Sequence, residues 1–301
     1  MKTRQIVWVV LLSVLLVLPL VVLLFQQQSK NVAVQNPEPV VEVDSGQAEK
    51  DPKPKDPPSD QPTDPPADKP ADKPADPPAD KPEQQEPPEY VWGVDTANFV
   101  DQAFFQCVVD NYGKPVVFGR YLETKEGVSS GLTKEEAAFL LEQGVKIIPI
   151  FNHFTNATGY DNGVAEAKEA IAYAEKLGIP EGKAIFADIE PNYPVDEAFI
   201  RGWVDTMLGS PYKPGIYGVF LHDSEVTAAY QKALSINELV GEAIIWSSDP
   251  DIGVSPQAEA PAFEPETPEQ VTISIWQYGI DGQPCNIDTN LLPSTVLDVL
   301  W

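Results

Sequence analysis

The sequence is short of what a metal centre is built from. Two histidines, His153 and His222, and two cysteines, Cys107 and Cys285, are spread through 301 residues. None of the four stands at a spacing that metal ligands use, so neither a metal site nor a cofactor is expected. Positive charge is scarce as well: 20 Lys and Arg stand against 46 Asp and Glu, a formal charge of −26. A basic footprint is missing, which excludes nucleic acid as a partner. The Gly-x-Ser-x-Gly turn of serine hydrolases does not occur, which argues against serine hydrolysis. Gly93-Val94-Asp95 follows the first apolar run where a nucleotide-binding fold would carry Gly-x-Gly-x-x-Gly.

What is present falls into three parts. Residues 1–29 hold an uncharged apolar run, Ile6–Phe25, preceded by Lys2 and Arg4. Twenty such residues span a bilayer, and positive charge before them keeps that end in the cytoplasm. A retained signal anchor fits better than a cleaved signal peptide, because the run is long and only a weak cleavage point lies near Ala33. No cysteine lies near Phe25, which argues against a lipoprotein anchor. Residues 30–89 are dominated by Pro, Asp, Lys and Ala, with a near-repeat at 70–80. Such a stretch has too little apolar surface to offset its ordering entropy and reads as a disordered spacer. Polyproline II geometry, at about 3.1 Å per residue, would let its Pro-rich part, from about Gln35 to Glu89, reach about 170 Å. The expected location is a single-pass membrane protein with an extracellular C-terminal domain, or a secreted protein if the signal is cleaved. A monomer is expected.

Residues 90–301 alternate strand-like and helix-like stretches. Strands are expected at 91–95, 115–121, 146–151, 184–188, 215–219, 243–246 and 272–278, and helices at 101–111, 133–143, 163–177, 196–208 and 224–233. Thr133 and Glu136 form a capping-box pattern, with Gly144 as the stop. This alternation predicts parallel strands with crossover helices. About 210 residues suit one α/β domain, a TIM-like (β/α) barrel, with a doubly wound open sheet as the alternative.

The stretch Lys183–Glu190 carries the strongest chemical signal. A fully apolar strand ends in Asp188-Ile189-Glu190, and Pro191 stops it. Strand alternation puts Asp188 and Glu190 on one face, about 7 Å apart along the strand. Two neighbouring carboxylates raise the pKa of one, which supplies an acid and a base together. In a barrel the active site lies at the C-terminal strand ends. Those ends carry Asp95, Arg120-Tyr121, Asn152-His153, Asp188 with Glu190, Tyr217, Trp246 and Trp276-Gln277, and Asp288 follows the last. Each alone has an ordinary explanation as a helix cap, rim packing or a structural histidine. Together, carboxylates for acid–base work and flat aromatic faces for sugar rings read as carbohydrate chemistry.

Gly93-Val94-Asp95, Asp188-Ile189-Glu190, Gly215-Ile216-Tyr217 and Trp276-Gln277-Tyr278 followed by Ile287-Asp288-Thr289-Asn290 resemble glycoside hydrolase family 25, the lysozyme-type muramidases. With Gly119-Arg120-Tyr121, the sequence is more similar still to a related glycoside-hydrolase-like family, domain of unknown function 1906. The resemblance runs from Trp92 to about Leu292. It implies a barrel that cleaves a β-1,4 link in peptidoglycan. Glu190 then matches the general acid. Asp188, Asp95 and Asp288 match the carboxylates around the sugar, the attacking water or the oxazolinium. Arg120, Tyr121, Asn152, His153, Tyr217, Trp246, Trp276 and Gln277 are the expected substrate-binding residues. Arg120-Tyr121 and Ile244–Asp249 depart from the family 25 pattern. The alternative to a hydrolase is a wall-glycan-binding module without turnover, which would need no acid. Finally, closure of a barrel makes its first and last strands neighbours, so Cys107 and Cys285 are placed to form a disulfide in an oxidising compartment, two buried thiols being the alternative.

Overall fold

The computed structural model describes residues 88–301. The expected membrane segment and all but the end of the expected spacer lie outside the described residues. Among the described residues, no helix is long and apolar enough to cross a membrane.

Eight strands close into one barrel in chain order: β1 (Tyr90–Asp95), β2 (Val117–Tyr121), β3 (Lys146–Phe151), β4 (Ala184–Asp188), β5 (Lys213–Gly218), β6 (Ile244–Ser248), β7 (Ile273–Gly282) and β8 (Ile287–Pro293). Five helices cross between them: α1 (Gln102–Tyr112), α2 (Lys134–Glu142), α3 (Tyr160–Leu177), α4 (Glu197–Leu208) and α5 (Glu225–Ile236). Their starts are set by short polar side chains. Asp101, Thr133, Asp196 and Ser224 each accept a hydrogen bond from the backbone N–H three residues on. Gly178 ends α3 in the left-handed conformation. Helices α3 and α4 meet at Gly163 and Gly202, where any Cβ would collide with the backbone of the other helix.

The barrel departs from a regular (β/α) repeat in its last quarter. No α-helix crosses from β6 to β7; that segment carries Pro250, Pro256, Pro261, Pro265 and Pro268, which deny a helix its N–H donors. The chain then turns directly from β7 into β8, which runs antiparallel to both β7 and β1. The last strand is thus a hairpin partner rather than the end of a βα unit. Reversal has a consequence for the site. A strand that runs the other way brings its beginning, not its end, to the mouth. Asp288 near the start of β8 pairs in register with Asp95 at the end of β1.

Inside the barrel an apolar core of Val91, Val117, Ile148, Phe186, Ile275 and Leu292 fills the lower layers. Leu300, fully buried, joins that core from the C-terminal segment. Outside, the five helices pack on the sheet, and Phe263 of the β6–β7 segment packs on Trp276 where no helix crosses. Cys107 on α1 and Cys285 in the β7–β8 turn are bonded, with Cα atoms 5.9 Å apart. The bond ties the first crossover helix to the reversed hairpin.

Candidate active site

A pit of about 70 Å³ opens at the C-terminal mouth, lined by Asp95, Tyr121, Asp188, Glu190, Tyr217, Trp246, Gln277 and Asp288, with Ile150. Three of the carboxylates sit at or just beyond strand ends, and Asp288 joins them from the start of β8. Room for them depends on Gly119. A Cβ there would meet the Asp95 Cβ at 2.5 Å and the Trp246 ring at 3.2 Å. Glycine at this inward position of β2 therefore lets two strand-end side chains share the top layer.

A hydrogen-bond network fixes the floor and one wall. Trp246 Nε1 donates to Asn290 Oδ1 at 2.8 Å, and Asn290 Nδ2 donates to Asp95 Oδ2 at 2.6 Å. Gln277 Oε1 accepts from Tyr217 and from Ser248, both at 2.8 Å. Two hydroxyls on its oxygen leave its amide N–H groups facing the carboxylates, and Nε2 lies 3.0 Å from Asp95 Oδ2 and 3.5 Å from Asp288 Oδ2. Asp95 is thus held by two amides. Asp288 accepts from the Asp281 backbone N–H at 2.8 Å. Two residues are left uncommitted. Asp188 is buried, yet its Oδ1 has no partner. Glu190 is partly exposed, and its carboxylate makes no hydrogen bond among the described residues.

Burial sets the protonation of this group. It pushes the Asp188 carboxyl well above the usual range, and the charges of Glu190 and Asp95 push the same way against Lys125. Glu190 is raised, by burial first, with Lys125 opposing and Asp95 adding. Asp95 is raised by burial despite the bonds from Asn290 and Gln277. Asp288 is pushed up to about 8, by burial and then by Asp95, while the Asp281 N–H opposes. Tyr217 and Tyr121 are raised for the same reasons and stay neutral. The pit holds protons readily, which suits a donor.

Four of the residues expected to touch substrate lie elsewhere. Arg120 is fully buried on the outer face of β2. It donates to Glu136 Oε1 at 2.7 Å and to the carbonyls of Thr96 and Ser130. Strand alternation explains this, because Tyr121 and its neighbour cannot both face the mouth. Glu136 does not complete a capping box; its Oε1 also accepts from Val100 N–H. Trp276 is likewise on the outer face, one residue from inward Gln277; it packs on Phe263 and Tyr278 and donates to the Asp249 carbonyl. Asn152 is buried and donates to Ser129. His153 is exposed between Glu123 and Glu169. Conversely, Lys125 is a site residue that no sequence signal marks. Its ammonium donates to the carbonyls of Asn152 and Phe154 and to Tyr193, and its charge reaches Asp188 and Glu190. It stands in the β2–α2 loop, where no periodicity reports a position. Asn290 was within reach: it stands two residues from Asp288 on the same strand face.

A closed barrel with carboxylates gathered at its C-terminal mouth defines a glycoside-hydrolase-like protein. The chain belongs to the Rv2525c-like, glycoside hydrolase-like domain family, whose profile matches residues 114–292. It is similar to an uncharacterized protein from B. stearothermophilus of known crystal structure, with 41% identity and a TM-score of 0.68 over 70% of this chain and 100% of that one. A 104-residue stretch is 33% identical to the uncharacterized protein YbfG of Bacillus subtilis (strain 168), covering 32% of this chain and 14% of that protein's length. Lysozymes and muramidases are among its neighbours in structure. One is a family GH25 lysozyme from Aspergillus fumigatus, at 15% identity and a TM-score of 0.44 over 70% of this chain and 98% of that one.

Proposed function

We propose that this domain is an extracellular glycoside hydrolase, held to the membrane by the N-terminal apolar segment, that cuts a β-linked cell-wall glycan such as peptidoglycan. The observation that carries this reading is the uncommitted pair at the end of β4. Asp188 and Glu190 share one pit, both pushed toward the protonated form, and neither is tied up by the network that holds Asp95. A structural strand end has no need of such a pair.

Roles follow from placement. Glu190 borders the pit and also a groove of about 320 Å³ lined by Pro191, Tyr193, Val195, Val219 and Val226. A proton donor must face the leaving-group oxygen, so the leaving sugar lies in the groove and the cleaved residue over the pit. The pit itself is small against the about 300–1,000 Å³ of ordinary ligand pockets. It takes a substituent, such as an acetamido group, rather than a whole ring. The orphan Asp188 oxygen meets that group and orients it toward the anomeric carbon. Asp95, held by the amides of Asn290 and Gln277, faces the ring where positive charge develops, while Asp288, pushed up to about 8, keeps its proton beside it near neutral pH. Glu190 gives its proton as the glycosidic bond breaks and recovers one from the water that completes hydrolysis.

The test is incubation of the purified chain with cell-wall glycan, with new reducing ends counted and soluble fragments identified by mass spectrometry. Release of fragments with a new reducing end supports the reading. Retention on the glycan without release supports a binding module instead, the second reading that the smallness of the pit favours.

A further inference from the structure

Outside the pit, His153 is held in a setting that the site does not use. It follows β3, on the flank formed by the β2–α2 loop and α3. Its ring packs edge-on against Phe151 and Tyr173, each with centroids 6.2 Å away. Nδ1 lies 2.7 Å from Glu169 Oε1, a hydrogen bond that puts a proton on that nitrogen. Nε2 lies 3.6 Å from Glu123 Oε2. That is too long for a hydrogen bond. The same Glu123 oxygen is shielded from solvent and has no partner. A ring nitrogen and an unpartnered carboxylate oxygen therefore face each other at the separation that two ligands of one ion would take. Two ligands on a tetrahedral ion, at metal–ligand distances of about 2.0–2.2 Å, stand about 3.4 Å apart. One ligand atom from each of Glu123, His153 and Glu169 lies within 4.8 Å of the others.

We propose that Glu123, His153 and Glu169 form a site for a divalent transition-metal ion of the zinc class. His153 Nε2 and Glu123 Oε2 bind the ion directly. Glu169 accepts the Nδ1–H and fixes the tautomer, the usual arrangement of a carboxylate behind a metal-bound imidazole. Water supplies the remaining positions, since the three side chains are 30–42% exposed. Imidazole nitrogen with carboxylate oxygen suits zinc, nickel or cobalt better than calcium or magnesium, which take oxygen alone. The ion joins three separate segments: Glu123 just after β2, His153 just after β3, and Glu169 within α3. The loop it fastens is the one that carries Lys125 toward Asp188 and Glu190. The site is thus a clamp on the loop that carries Lys125, outside the lining of the pit, and takes no part in proton transfer.

The full chain, stripped with chelator and titrated calorimetrically with zinc, is expected to bind one equivalent with an affinity that His153→Ala and Glu123→Gln each lower at least about tenfold, and Glu169→Gln by about 10–100-fold. His222→Ala is expected to bind as the parent does. Nitrogen chemical shifts of the His153 ring provide a second reading: zinc should move Nε2 and leave Nδ1 protonated. Zinc binding that survives in a folded His153→Ala variant would overturn the proposal, as would an absence of binding by the parent. If the variants do not fold, an unmoved Nε2 resonance in the zinc-treated parent has the same force.

Discussion

Arg120 shows how a single side chain can look functional and serve the scaffold. It stands beside Tyr121 at a strand end, but its guanidinium is spent on Glu136 and two carbonyls. Removing one partner of a buried pair leaves the other charge without compensation, at about 3–5 kcal/mol. Arg120→Ala should therefore lower the stability measured by urea unfolding by about that amount. Asp288 behaves in the opposite sense. Its carboxyl is pushed up to about 8 in the folded protein, above the about 3.9 of an unfolded chain. The folded state then binds the proton more tightly. The stability this gives is fully present below about pH 4 and is lost as pH rises through about 8. Unfolding midpoints of the parent should fall across that window. Asp288→Asn, which stays neutral, should flatten the fall; an unchanged pH slope in the variant would show that this carboxyl is not the one titrating.

Individual elements were legible to the extent that their signals are local. The five helices and the parallel strands could be read from apolar periodicity, caps such as Asp101 and Asp196, and stops such as Gly178. The strand-end carboxylates could be read from the Asp188–Glu190 spacing. What could not be read depends on pairing. Gly279, Asp281 and Gly282 punctuate the sequence as if a strand ended at Tyr278, yet β7 runs on to Gly282 with register shifts against β8. Asp281 and Asn286, both at positive φ, turn the chain back. Reversal of β8 is thus a property of the hairpin and leaves no periodic trace. Parity was available and would have placed Trp276 outside once Gln277 was inside. The disulfide fastens this hairpin to α1 and closes a separation of 178 residues. Replacing Cys107 and Cys285 together by Ala should cost about 2–5 kcal/mol, read from denaturant midpoints with and without reductant. Equal stability of parent and variant under oxidising conditions would contradict a role in holding the last strand.

At the scale of the whole molecule, the proposed function requires that the chain be held at a membrane with the barrel outside. Its tether is argued from Ile6–Phe25 and the Pro-rich stretch that follows. The chain should remain with membranes after carbonate washing, and protease added outside intact cells should reach the barrel. Recovery of a soluble form beginning near Val34 would replace the anchor with a cleaved signal. The barrel has an apolar lower core and a mouth lined by carboxyls, and the proposed hydrolase activity rests on Glu190, which borders both pit and groove. The direct measurement is turnover of purified peptidoglycan by the parent and by Glu190→Gln, with new reducing ends counted at several pH values. A fall of about 10²–10⁴ is expected in the variant, with the parent losing activity as pH rises through the raised Glu190 pKa. Equal turnover by parent and variant would contradict it.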